Sequence, residues 1–144
     1  MIPAVVNFLD WSKDYETGIK PIDNDHKRLF KAVNDLHDAY AIDDADAHFA
    51  DLFQLLSEYV DVHFAREEEA MVAMGYPDLE SHIVSHQELA TTVHQYAILY
   101  RADPGAISRK EILGFLGNWL SKHILGSDME YVPYIKADKA KPAA

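Results

Sequence analysis

Cysteine is absent from the 144 residues, which removes disulfides, thiolate nucleophiles, iron–sulfur clusters and cysteine-based zinc sites from consideration. Any metal held by this chain must be bound by histidine and carboxylate. Glycine and proline are scarce, six of each, so there are few points at which a regular element has to break. Basic residues are outnumbered, 13 Lys and Arg against 24 Asp and Glu, and the formal net charge of −11 argues against nucleic acid or an anionic membrane as a partner. No apolar run approaches the roughly 20 residues that span a bilayer. The stretch from Met1 to Asp14 has no basic region followed by a long apolar core, so a cytoplasmic protein is the expectation.

What the chain does have is periodicity. Hydrophobic residues make up 49% of a length usual for one compact domain, and in four segments they recur in alternating steps of three and four, the repeat of an amphipathic helix. The first carries Ile22, His26, Leu29, Val33, Leu36 and Tyr40, with Pro21 at an early position where its missing N–H costs nothing. The second carries Phe49, Leu52, Leu56, Tyr59, His63, Glu67, Ala70 and Met74, follows the acidic stretch Asp43, Asp44 and Asp46, and is expected to stop at Gly75. The third carries Leu79, His82, His86, Leu89, Val93, Tyr96 and Tyr100, bounded by Tyr76-Pro77-Asp78 and Asp103-Pro104-Gly105. The fourth carries Ile112, Leu116, Trp119 and His123, and Ser108 with Glu111 forms the pattern of a capping box. Short connections between such helices predict an all-α, up-down-up-down antiparallel four-helix bundle, packed at about 20°. Residues 21–135 form that bundle. Residues 1–20 form an arm that packs over one end through Phe8, Trp11 and Tyr15, and the Ala-, Lys- and Pro-rich residues 136–144 are expected to be disordered.

Five of the eight histidines, together with Glu67, fall on these apolar seams, where a polar side chain costs several kcal/mol unless something satisfies it. One such histidine is an ordinary core residue more often than a ligand. Here His63 and Glu67 are four apart on one helix, as are His82 and His86, so each pair aims two donors at one place. His26 and His123 bring the first and fourth helices to the same core, which is how bundles build metal sites. Asp128 lies where the fourth helix should be ending, and spacing leaves ligation and solvation equally open for it. Five imidazoles and two carboxylates are too many for one ion and suit two. If both carboxylates bridge and a solvent oxygen bridges as well, a pair of octahedral ions keeps one open position, the mark of a working site. Imidazole with carboxylate suits iron, zinc, manganese or cobalt, and iron is preferred because tetrahedral zinc would leave donors unused.

The spacing of these residues resembles the hemerythrin family, and its bacterial members in particular. The resemblance covers the whole chain. It rests on W-x7-I-x2-I-D-x2-H at Trp11, Ile19, Ile22, Asp23 and His26, on HFxxEE with a following methionine at His63, Phe64, Glu67, Glu68 and Met71, on Tyr76-Pro77 with HxxxH at His82 and His86, and on WLxxHIxxxD at Trp119, Leu120, His123, Ile124 and Asp128. It implies a di-iron centre, oxo- or hydroxo-bridged, in which His82, His86 and His123 bind one iron and His26 and His63 the other, with Glu67 and Asp128 as bridges. It implies reversible dioxygen binding at the open iron, in a pocket lined by Leu29, Phe64, Met71, Trp119, Leu120 and Ile124. Those six residues also read simply as core packing, and the two readings are compatible.

Oxygen carriage or storage, with no catalysis, is therefore the leading expectation. An oxygen or redox sensing module and a di-iron redox enzyme are the alternatives, and no protein partner is legible. Gly114, Gly117 and Gly126 around the fourth helix could open a ligand path, although close packing, or a helix cap at Gly126, is the favoured reading. His37, His48 and His94 lie off the seams as boundary or surface residues, and Glu68 and Glu69, roughly 100° and 200° around the helix from Glu67, read as solvated.

Overall fold

Each periodic segment forms a helix in the computed structural model, which describes residues 8–135. Helix α1 spans Lys20–Ala41, α2 Asp46–Met74, α3 Leu79–Ala102 and α4 Arg109–Lys122. No strand occurs among the described residues, and no helix there is long and apolar enough to cross a membrane. The tail expected to be disordered, 136–144, and the first seven residues of the arm lie outside the described residues.

Local chemistry fixes where the helices begin and end. Pro21 sits in the first turn of α1, and the Ser108 hydroxyl accepts the Glu111 N–H at 3.0 Å to start α4. Gly75 closes α2 in the left-handed region at φ 68°, a conformation that costs a side-chain-bearing residue about 1–2 kcal/mol. Connections of a few residues make α1 the neighbour of both α2 and α4, with α3 against α2. The cross-links between α2 and α3 pair Asp51 with Arg101, Asp61 with His94 and Glu67 with His82. One number rises as the other falls, so the two helices run antiparallel.

The bundle core is continuous, built from residues such as Val33, Leu36, Phe49, Phe53, Leu56, Val60, Ile112 and Leu116, each no more than 1% exposed. Four seam positions on α1 and α2 differ from expectation. Tyr40 is 40% exposed and Ala39, at 4%, takes the core position. On α2 the half-buried Leu52, Tyr59 and Ala70 flank a core line of Phe53, Val60, Phe64 and Met71, because over 29 residues a repeat of about 3.6 drifts away from any fixed step. The end remote from the five seam histidines is tied by Arg109, which donates to the Tyr100 hydroxyl, the Asp44 carbonyl and the Asp46 carboxylate at 2.9, 2.7 and 2.8 Å.

The arm lies along the α1 and α4 flank rather than over one end of the bundle. Phe8 stacks on His37 with ring centroids 4.8 Å apart, and the Asn34 side chain exchanges two hydrogen bonds with the Leu9 backbone. Trp11 and Tyr15 meet Phe30 edge-on, and the Tyr15 hydroxyl pairs with Ser121 at 2.8 Å. Asp23 then anchors the entry to α1 by accepting from the Thr17 N–H and hydroxyl, both at 2.8 Å, and from the Gly18 N–H.

Beyond Lys122 the chain does not loosen. His123–Asp128 continues as a π-helical segment, Met129–Tyr131 tightens to a 3-10 turn, and helix resumes to residue 135. Gly126 lies inside the π segment with negative φ, so it is not a helix cap.

Candidate metal centre

Helix α1 supplies His26, α2 supplies His63 and Glu67, α3 supplies His82 and His86, and the π-helical segment supplies His123 and Asp128. The i, i+4 pairs on α2 and α3 meet because four residues return an α-helix to nearly the same face. His123 and Asp128 are five apart, which on an α-helix would leave them about 140° out of phase. The wider π turn, with its i to i+5 repeat, brings both inward, and His123 Nε2 stands 3.1 Å from Asp128 Oδ1.

The seven side chains converge. His26 Nε2 lies 3.4 Å from Glu67 Oε2 and 3.2 Å from Asp128 Oδ2, and His63 Nε2 lies 3.6 Å from Glu67 Oε2. On the opposite side His82 Nε2 is 3.1 Å from both Glu67 Oε1 and Asp128 Oδ1, and His86 Nε2 is 3.0 Å from Glu67 Oε1. The donors form two overlapping groups, His26 and His63 in one, His82, His86 and His123 in the other, with Glu67 and Asp128 common to both. Within each group the donor atoms lie within 4.8 Å of one another. Every member is buried, His123 being the most exposed at 7%.

The residues fit a bound metal cation. His26 Nε2, His86 Nε2, His123 Nε2 and both Asp128 oxygens are buried without a hydrogen-bond partner, although carboxylates and imidazoles surround them at contact distance. An unpaired buried polar atom costs about 1–3 kcal/mol. Several facing one another point to lone pairs meant for a cation, and the donor set of imidazole nitrogen and carboxylate oxygen suits first-row transition metals. Electrostatics agree. Burial would raise the Glu67 carboxyl, but contacts with His26, His82 and His86 hold it well below the ordinary range. Burial and the Glu67 charge oppose ionisation of Asp128, yet His123 and His26 bring it down to about 2. His26 and His82 feel the converse: burial lowers them, and the two carboxylates push them up to about 9.

Three residues that sequence reasoning did not pick for the site contact it directly. Asp25, 1% exposed, accepts from His63 Nδ1 at 3.3 Å, from the Tyr59 hydroxyl at 2.8 Å and from Arg66 at 2.7 Å. Burial opposes its ionisation, and these partners nevertheless hold its carboxyl below the ordinary value. Glu68, expected to be solvated, is half-buried and accepts from His86 Nδ1 at 3.4 Å. Its position 100° from Glu67 falls on the edge where α3 packs. Tyr131 is fully buried and donates to Glu67 Oε2 at 3.1 Å. Asp25 had a signal, since the steps from Ile22 to Asp25 to Leu29 are three and four. Tyr131 had none, because the sequence seam ended before the π turn.

All six expected pocket residues are buried. Phe64 stacks on His86 with centroids 3.8 Å apart and meets Trp119 edge-on, while Trp119 lies 6.3 Å from His123. Leu29, Leu120 and Ile124 join the same apolar cluster, whereas Met71 belongs to a separate one with Met74, Tyr76, Tyr131 and Ile135. Among the fourth-helix glycines, a Cβ at Gly117 would stand 2.9 Å from Phe8 of the arm, whereas Gly114 and Gly126 have no such neighbour. Close packing therefore explains Gly117 and neither of the others.

Comparison with known proteins agrees with this geometry. The family model of the hemerythrin HHE cation binding domain matches residues 17–135. A bacteriohemerythrin of Pseudomonas aeruginosa is 35% identical over 128 residues, 89% of this chain and 82% of the relative. One from Clostridium acetobutylicum is 32% identical over 129 residues, 85% of this chain and 97% of its own. The crystal structure of a wild-type hemerythrin superposes with a TM-score of 0.81 at 28% identity, covering 89% of this chain and 98% of the other. A buried histidine and carboxylate cage in an antiparallel four-helix bundle defines a metal-binding bundle protein. The chain belongs to the hemerythrin family.

Proposed function

We propose that this chain holds two non-haem iron ions in the cage and binds dioxygen reversibly there, as an oxygen carrier or store. The observation that carries the reading is the division of the seven donors into a group of three histidines and a group of two that share Glu67 and Asp128. His82, His86 and His123 would hold one ion and His26 and His63 the other, and the group with fewer imidazoles would leave room for a small ligand. When bound, the ferrous pair supplies the electrons that a reversible dioxygen complex needs.

The protein's own residues favour binding over turnover. Carboxylate-rich di-iron bundles use four carboxylates and two histidines, whereas this cage has the reverse balance, and neutral imidazoles stabilise highly oxidised iron less than anions do. Phe64, Trp119, Leu29, Leu120 and Ile124 wall the cage with apolar surface and exclude the water that promotes irreversible oxidation. Tyr131 commits its hydroxyl proton to Glu67. Burial and the charges of Glu67 and Asp128 push its ionisation far upward, so it holds that proton and does not deliver it.

The test is an optical spectrum of iron-loaded, anaerobically reduced protein, taken before air, in air and after oxygen is withdrawn. A visible band that appears with oxygen and disappears on its removal is expected. Irreversible bleaching to a ferric form, or no response, would contradict the proposal.

A further inference from the structure

The five imidazoles differ in what holds the nitrogen that faces away from the cage. His63 Nδ1 meets the carboxylate of Asp25, itself 1% exposed and clamped by the Tyr59 hydroxyl and the Arg66 guanidinium. His86 Nδ1 meets Glu68 at 3.4 Å, and that carboxylate is 28% exposed. His26 Nδ1 is buried with no partner. Of these three nitrogens, that of His63, in the group with only two imidazoles, meets the most deeply buried carboxylate.

The geometry points to Asp25 as a positioning residue for the ion held by His26 and His63, acting through His63. Three features carry this. Asp25 precedes His26 on α1, so its side chain projects about 100° away from that ligand, toward the α2 line of Tyr59, His63 and Arg66. Its Oδ2 accepts from His63 Nδ1, which fixes the tautomer with the proton outside and turns the Nε2 lone pair toward Glu67 and the cage. Its Oδ1 takes both remaining hydrogen bonds, so the carboxylate cannot rotate to release the imidazole without breaking contacts at 2.7 and 2.8 Å. A carboxylate behind an imidazole both orients the ring and strengthens it as a donor, and losing such a partner weakens metal binding roughly 10–100-fold. The effect should be confined to one of the two ions, because the other group has its own support in Glu68.

The inference rests on the two-ion reading, and the experiment separates the two. Full-length wild type, Asp25→Asn and Glu68→Gln are titrated with cobalt(II) against a competing chelator, and the zinc-loaded proteins are examined by 15N NMR of the histidine rings. For Asp25→Asn we expect one of two binding steps to weaken roughly 10–100-fold with the other unchanged, and the His63 Nδ1–H signal of the zinc form to lose its hydrogen-bonded shift. Glu68→Gln should leave the step that Asp25→Asn weakens unchanged. Tyr59→Phe, which loosens the clamp but keeps the carboxylate, gives an intermediate loss and guards against a variant that merely folds poorly. Equal weakening of both steps by Asp25→Asn, no weakening, or a His63 Nδ1 without its proton in wild type would overturn the inference. Wild type that takes up a single ion would overturn the two-ion reading, and the inference with it.

Discussion

A buried histidine nitrogen without a partner costs about 1–3 kcal/mol, and in this bundle the cage nitrogens of His26, His86 and His123 have no hydrogen-bond partner in the protein. That makes His82 a sharp probe. His82→Ala removes one donor and leaves Asp128 and Glu67 short of a neighbour each had at 3.1 Å, so stable loading of two ions should be lost. Metal analysis after dialysis gives the answer, and two retained ions per chain would contradict the assignment. Sequence reasoning reached the inner donors because each imidazole interrupts an apolar seam. It did not reach the residues behind them. Glu68 is a charged residue one position from a ligand, where spacing makes an inward carboxylate look like a solvated one, and only the packing of α2 against α3 separates the two; Asp25 fits the steps of three and four from Ile22 to Leu29, but nothing in the spacing pairs it with His63.

Among the elements, the fourth helix departs furthest from expectation. The apolar steps put the end of the helix at about Asp128, yet the chain winds on through a π-helical segment that aligns His123 with Asp128 and then places Tyr131 over Glu67. A π turn leaves no simple apolar repeat, since its pitch matches neither of the steps by which helices are recognised. The glycines on this helix yield a paired prediction. Gly114 is exposed with open space where a Cβ would go, and Gly117 faces Phe8 at 2.9 Å. Gly114→Ala should stabilise the protein by about 0.5–1 kcal/mol. Gly117→Ala should stabilise it less or destabilise it, because Phe8 must move off His37. Urea melts of the two variants decide this, and equal stabilisation would show that the arm does not press on α4.

Taken as a whole, the molecule draws stability from the protonated histidines of the cage. In the metal-free cage His26 and His82 are held at about 9 rather than 6.5, so the stability they contribute is complete below their unfolded value and is lost as pH rises through about 9. A metal ion needs those same nitrogens without protons. The difference in Tm between metal-loaded and metal-free protein should therefore widen from pH 6.5 to pH 9, and a gap that stays constant or narrows would count against the cage as the binding site. Up-down topology was legible from four periodic segments and short connections. The course of the arm was not, because Phe8, Trp11 and Tyr15 announce burial without saying which surface they cover.

Carriage and consumption of oxygen are told apart by the amount that the reduced, iron-loaded protein takes up, measured in a closed cell and again after purging. One dioxygen per pair of irons is expected, saturating and recovered on purging through repeated cycles. Uptake that continues past that ratio, or oxygen that is never recovered, would show that this cage consumes dioxygen instead of carrying it.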